Sequence, residues 1–120
     1  LSNAAVGRRA AGVVTDGGVR DYAEIVQLGF PAFAAGLTPY DSLGRMDGRE
    51  RGIPITCAGV RVCPGDLVFA DVDGVVVVPQ GRADEVIAKA WEKVSGESLV
   101  RAELRAGASV VETFRKYHIL

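Results

Sequence analysis

Arg20 and Asp21 stand side by side at the end of the stretch Gly12-Val13-Val14-Thr15-Asp16-Gly17-Gly18-Val19-Arg20-Asp21. An arginine presents a planar fork that grips a carboxylate through paired hydrogen bonds. An aspartate offers hard oxygen to a divalent cation. The same residues have a plainer use. Asp21-Tyr22-Ala23-Glu24 spells a capping box, with Asp as the N-cap and Glu three residues on. On local pattern alone the cap is the commoner outcome, and both roles stay open.

Other chemistry-bearing residues have weaker claims. Asp16 either orients Arg20 or, more commonly for a turn aspartate, caps its own backbone. Asp41 and Arg45 either line a site or solvate a loop. Asp71 and Asp73 read as hairpin residues rather than ligands. His118 is the sole histidine, and near a chain end it reads as a surface or interface residue rather than a base. Trp91 reads as core or subunit contact. Cys57 and Cys63 have no His or further Cys close enough to complete a zinc set. They read as reduced, small buried hydrophobes.

The elements that must position Arg20 and Asp21 follow from apolar spacing. Leu1 to Arg9 reads as the end of a helix, as if the chain were entered in mid-helix, which suggests a fragment of a longer polypeptide. Ala11 to Thr15 is apolar and β-branched without alternation, so it predicts a buried strand. That strand runs into a glycine-rich turn, where Gly17 and Gly18 permit positive φ and close approach to a ligand. Tyr22 to Leu28 predicts a short helix stopped by Gly29. Phe30 to Ala34 predicts the next strand, parallel to the first, with Pro31 at its start or on an edge. Ligand sites in α/β folds form where the carboxyl ends of such strands deliver loops to a crevice.

Gly36 to Arg51 is a polar loop whose length points to function or an interface. Ile53 to Cys57 and Val60 to Val62 flank Ala58-Gly59 as a hairpin. Pro64-Gly65-Asp66 is a turn, and Leu67 to Ala70 pairs with Val75 to Val78 around Asp71-Val72-Asp73-Gly74. A long helix starts near Arg82, with Val86, Ile87, Ala90, Trp91 and Val94 at helical spacing. It is expected to break or bend at Ser95-Gly96, resume through Leu99 and Leu104, and close at Gly107. Val110, Val111, Phe114 and Tyr117 mark a last helix.

The 120 residues suit a single domain of ordinary globular composition. A formal net charge of -1 gives no electrostatic reason to expect nucleic acid or an anionic membrane. The longest apolar runs, such as Val75 to Val78, are far too short to span a bilayer, and no signal peptide is visible. A cytoplasmic protein is the expectation.

The stretch from Gly12 to Asp21 resembles the motif of the RraA-like family, which includes 4-hydroxy-4-methyl-2-oxoglutarate aldolases and protein regulators of ribonuclease E. The resemblance continues through Phe33-Ala34-Ala35-Gly36-Leu37-Thr38-Pro39, through Cys57 to Pro79, and through Phe114-Arg115-Lys116-Tyr117-His118-Ile119-Leu120. It implies an α/β chain of three-layer β/β/α swivelling-domain fold, with mixed sheets and C-terminal helices, forming a homotrimer or a hexamer. It implies Mg²⁺ or Mn²⁺ held by Asp21, with Arg20 gripping pyruvate. It implies a glutamate arriving from a neighbouring subunit, for which Glu97 is the best match. It also implies a further acidic residue and a nest of backbone amides ahead of Leu1, so the domain 1–120 would lack its N-terminal part.

The implied reaction is metal-dependent cleavage of a 4-hydroxy-2-oxo diacid to pyruvate. The cation acts as a Lewis acid on the 2-oxo acid and stabilises the enolate, and Arg20 clamps the carboxylate and developing oxyanion. The same electron sink would decarboxylate oxaloacetate. As a second reading the resemblance admits a regulator without turnover that binds ribonuclease E, and as a third a degenerate or truncated scaffold that only assembles.

Overall fold

The computed structural model describes residues 1–118, so Ile119 and Leu120 of the C-terminal motif lie outside the described residues. The chain divides into two compact units, Leu1–Val77 and the remainder from Val78.

In the first unit, α1 (Ser2–Gly7) leads into β1 (Val13–Val19). Helix α2 (Tyr22–Gln27) follows, then β2 (Ala32–Leu37). The two strands pair in parallel, with Val13 opposite Ala32 and Val19 opposite Leu37. Gly29, at φ 63°, ends α2, and the Phe30 N–H donates back to the Ile25 carbonyl at 3.3 Å. Ile25 and Phe30 are the buried apolar pair of this unit.

The strands differ from the sequence reading in extent and cover. β1 runs on through Asp16-Gly17-Gly18, and the register slips between Thr15 and Gly18. The expected glycine-rich turn is therefore an irregularity inside a strand. Neither Gly17 nor Gly18 has positive φ. Gly18 is small because of crowding: a Cβ there would lie 2.9 Å from Thr38 Cγ2. Gly12 is as close but meets backbone, which gives less readily: a Cβ there would lie 2.9 Å from the Pro31 carbonyl oxygen. Val13 and Val14 are exposed rather than buried, because a two-stranded sheet beside a six-residue helix has too little cover for both faces.

The remaining strands form two hairpins. β3 (Ile55–Cys57) and β4 (Val60–Val62) are antiparallel, with Cys57 opposite Val60. Ala58 and Gly59 both take positive φ, 48° and 81°, as a two-residue primed turn requires. β5 (Leu67–Asp71) and β6 (Gly74–Val78) form a further sheet across Val72-Asp73. Asp71 Oδ1 accepts the Asp73 N–H at 2.8 Å, which makes it the turn residue its position predicts. The Pro64-Gly65-Asp66 turn is closed on both sides: Asp66 N–H donates to the Cys63 carbonyl, and Asp66 Oδ2 accepts the Cys63 N–H. Cys57 and Cys63 are free and half-buried.

In the second unit a short 3-10 turn (Gln80–Arg82) enters α3 (Ala83–Arg105). α3 is continuous through Ser95-Gly96, contrary to the expected break. A helix glycine costs only about 1 kcal/mol relative to alanine. The surrounding helix formers absorb that cost, and Glu97 pairs with Lys93 at 3.7 Å and Arg101 at 3.9 Å across the position. Trp91 is exposed on α3, so it is not core. Gly107, at φ 93°, follows the helix end as expected. α4 (Val110–Tyr117) packs on α3. Buried Val100 and Thr113 come one from each helix. Glu103 Oε1 accepts from Lys116 Nζ at 2.6 Å and from Tyr117 Oη at 2.7 Å, clasping the helices.

Two outcomes follow from this packing. Gly12→Ala should destabilise the first unit by about 1–3 kcal/mol, because the new methyl meets a backbone carbonyl. Gly36→Ala, on the partner strand with open space around it, should be close to neutral in the same urea titration. The Lys116 hydrogen bond, with that of Tyr117, holds the Glu103 carboxyl below the usual carboxylate range. A carboxyl lowered in this way stabilises the fold above its unfolded-state pKa, and the contribution is lost as pH falls through the folded one. Amide exchange in α4 should therefore quicken on acidification below about 4.3, and Glu103→Gln should abolish that component.

Candidate active site at the carboxyl ends of the parallel strands

Because β1 and β2 are parallel, their carboxyl ends finish at one edge. The Thr38 N–H donates to the Val19 carbonyl at 2.9 Å and carries the pairing one step past the strands. Arg20 and Asp21 leave this edge from β1, and Thr38 to Asp41 leave it from β2. The result is a three-residue cluster. Arg20 Nη1 lies 2.8 Å from Asp41 Oδ2, and Arg20 Nε lies 3.5 Å from Asp21 Oδ2. All three side chains are about half exposed, at 45%, 55% and 53% for Arg20, Asp21 and Asp41.

Asp21 sits at the N-cap position of α2, yet its side chain makes no cap hydrogen bond. Its backbone is left-handed, at φ 59° and ψ 40°. Aspartate enters this region more readily than most residues, and non-glycine residues held there cluster at functional sites. The capping box therefore does not form, and the carboxylate turns to Arg20 instead. The positive φ that the sequence suggested for the glycines belongs to Asp21.

Asp41 is fixed from its own loop. Its Oδ1 accepts the Leu43 N–H at 2.8 Å. That backbone hydrogen bond, followed by the charge of Arg20, holds the Asp41 carboxyl below its ordinary range. Next to it, the Tyr40 N–H donates to Thr38 Oγ1 at 3.3 Å, and the Arg45 guanidinium stacks 4.7 Å over the Tyr40 ring. Asp41 thus joins the site, and Arg45 braces the loop behind it. The position of Asp41 after a strand parallel to β1 was the available signal for it.

The other candidates fall elsewhere. Asp16 neither orients Arg20 nor caps its own backbone: its Oδ2 accepts the Ala58 N–H at 2.9 Å. It ties β1 to the turn of the β3–β4 hairpin, 42 residues away, where Ala58 is held at positive φ. No local sequence signal marks such a partner. Glu97 belongs to the second unit, between Lys93 and Arg101. His118 is exposed, caps α4 in the left-handed region and sets its ring edge-on to Phe114. Among the described residues, no three of His, Cys, Asp and Glu gather as a metal cluster. Asp21 and Asp41 are the hard oxygen donors of this corner. So sparse a set suits a cation that keeps most of its waters, as Mg²⁺ does. Among the described residues no helix is long and apolar enough to cross a membrane.

Comparison with known proteins bears on the same residues. A family model described as RraA-like, Aldolase/RraA, matches residues 1–77, the first unit with its strand-end cluster. A Halalkalibacterium halodurans protein, provisionally named a 4-hydroxy-4-methyl-2-oxoglutarate aldolase, is 38% identical over 107 residues. The match covers 89% of this chain and 49% of that protein, so the chain spans about half the length of this curated relative. The crystal structure of an uncharacterized Pseudomonas syringae protein superposes with a TM-score of 0.88 at 27% identity, covering 92% of this chain and 56% of the other. Streptomyces coelicolor RraAS2, described as an unusual member of the RNase ES inhibitor RraA protein family, superposes with a TM-score of 0.68 at 35% identity. That match covers 80% of this chain and 50% of the other. A mixed α/β chain with small sheets, C-terminal helices and an Arg-Asp pair at its parallel strand ends, this protein belongs to the RraA-like family.

Proposed function

We infer that the protein is a divalent-metal-dependent aldolase. Its substrates are 2-oxo acids of the 4-hydroxy-4-methyl-2-oxoglutarate type, which it cleaves to pyruvate, with oxaloacetate decarboxylation as a side activity. The observation that carries this reading is Asp21: an aspartate at an N-cap position that does not cap, held in left-handed backbone beside an arginine. The name of the Halalkalibacterium relative supports the substrate class.

The residues divide the work by their chemistry. Arg20 binds the substrate carboxylate and donates to the oxygen that gains charge as the C–C bond breaks. Asp21 would hold Mg²⁺ or Mn²⁺ through its carboxylate, the kind of hard oxygen donor such a cation takes. When bound, the cation supplies Lewis-acid polarisation of the keto group. Glu97 reaches the site from a neighbouring subunit in a homotrimer or hexamer. The exposed apolar residues of α3, Ile87, Trp91 and Val94 among them, support burial between subunits. The reaction needs neither nucleic acid nor membrane, and we place it in the cytoplasm.

A second reading is favoured by the Streptomyces neighbour, which belongs to a family described as inhibiting a ribonuclease. In that reading the protein binds ribonuclease E and turns nothing over. Pyruvate release from 4-hydroxy-4-methyl-2-oxoglutarate with Mg²⁺ separates the two.

Asp21→Asn is the sharpest variant, because asparagine also tolerates left-handed backbone and keeps the shape. In the full-length polypeptide, stability should stay within about 0.5 kcal/mol, as for an exposed substitution. Pyruvate release should fall more than about 100-fold, beyond the loss typical of an outer-shell ligand. Arg20→Lys should lose roughly 100-fold, since an ammonium cannot reproduce the fork. Full metal-dependent turnover by Asp21→Asn would overturn the assignment. Light scattering should give three or six chain masses, and a monomer at micromolar concentration would contradict the assembly.

A further inference from the structure

A guanidinium has two edges that can each hold a carboxylate through paired hydrogen bonds: Nε with one Nη, and the two Nη together. In Arg20 two of the three nitrogens, Nε and Nη1, already face a carboxylate oxygen. Asp21 stands at Nε, at a long 3.5 Å, and Asp41 stands at Nη1, at 2.8 Å. The short contact occupies Nη1, a donor a second carboxylate would need for a paired grip on the two Nη atoms. Asp41 is supplied by the irregular segment between β2 and β3, and its second oxygen accepts the Leu43 N–H. It is 53% exposed, so water can solvate it as soon as it leaves the arginine. Asp21, in contrast, is set by the left-handed corner that starts α2.

We propose that Asp41 occupies the place on Arg20 that the carboxylate of a ligand takes, so that ligand binding displaces Asp41 and only carboxylates able to compete with it are accepted. The inference deepens the reading of Arg20 as the grip for a 2-oxo acid and rests on it. Asp41 acts as an internal competitor and a selectivity residue. Its departure also frees the Asp41-Ser42-Leu43 turn, so the loop reports on occupancy of the arginine.

Asp41→Asn separates charge from shape. The amide retains a carbonyl oxygen for the Leu43 N–H and loses the charge facing Arg20. The probe is pyruvate, titrated with Mg²⁺ at fixed ionic strength into the ¹⁵N-labelled full chain. The readouts are the Arg20 Nε–H and the Leu43 amide. In the unsubstituted protein both signals should move along one isotherm. Asp41→Asn should bind pyruvate roughly two- to fivefold more tightly, the range of an exposed ion pair removed from competition. Binding that is unchanged, weaker or undetectable in Asp41→Asn overturns the proposal. Arg20→Lys identifies which idea has failed. If it loses pyruvate binding while Asp41→Asn shows no gain, the competition is wrong and the grip stands. If it binds pyruvate as well as the unsubstituted protein, the grip is wrong and the competition falls with it.

Discussion

The candidate site depends on one constraint, the parallel pairing of β1 with β2. An antiparallel pair would send the two exits to opposite edges. A parallel pair delivers Arg20-Asp21 and Thr38 to Asp41 to the same edge. The close approach of the two backbones requires the absence of side chains at Gly12 and Gly18, where Pro31 and Thr38 fill the space. The small residues of the motif are therefore as much a condition for the cluster as the charged ones.

Within that edge, electrostatics and backbone conformation act together. Arg20 stands between two aspartates that reach it from different directions, and neither spends its carboxylate on capping α2. Two residues, Arg20 and the left-handed Asp21, separate the end of β1 from the start of α2. The left-handed turn at Asp21 costs on the order of 1 kcal/mol or more in backbone strain, and it turns an ordinary capping position into a group available for chemistry. Asp16 spends its charge differently, tying the β3–β4 hairpin turn to β1. Three aspartates close together in sequence or space thus have three tasks, set by what each can reach.

The second unit relies on a different balance. Its long helix crosses an interior glycine because helix propensity and ion pairs sum over many residues, whereas a glycine penalty is local. Its two helices are joined by a small apolar contact and by the Glu103 clasp, in which one carboxylate oxygen serves two donors from α4. Little of α3's apolar stripe is covered within the chain, which is the physical ground for looking to subunit contacts.

The order of elements, both hairpins, the parallel pair and the adjacent Arg-Asp were legible in the sequence, because they rest on local periodicity, turn residues and neighbours in the chain. The family was legible for the same reason, since its motifs are contiguous. Strand ends, the unbroken α3 and the exposure of Val13, Val14 and Trp91 were not, because packing and summed helix energetics decide them. Tertiary structure alone decided the partners of Asp16 and Asp41 and the left-handed backbone of Asp21. A side chain's partner across many residues depends on where the fold brings the two segments, and a single dihedral at a strand-to-helix corner depends on the angle at which both elements meet. Composition and spacing carry information about neither.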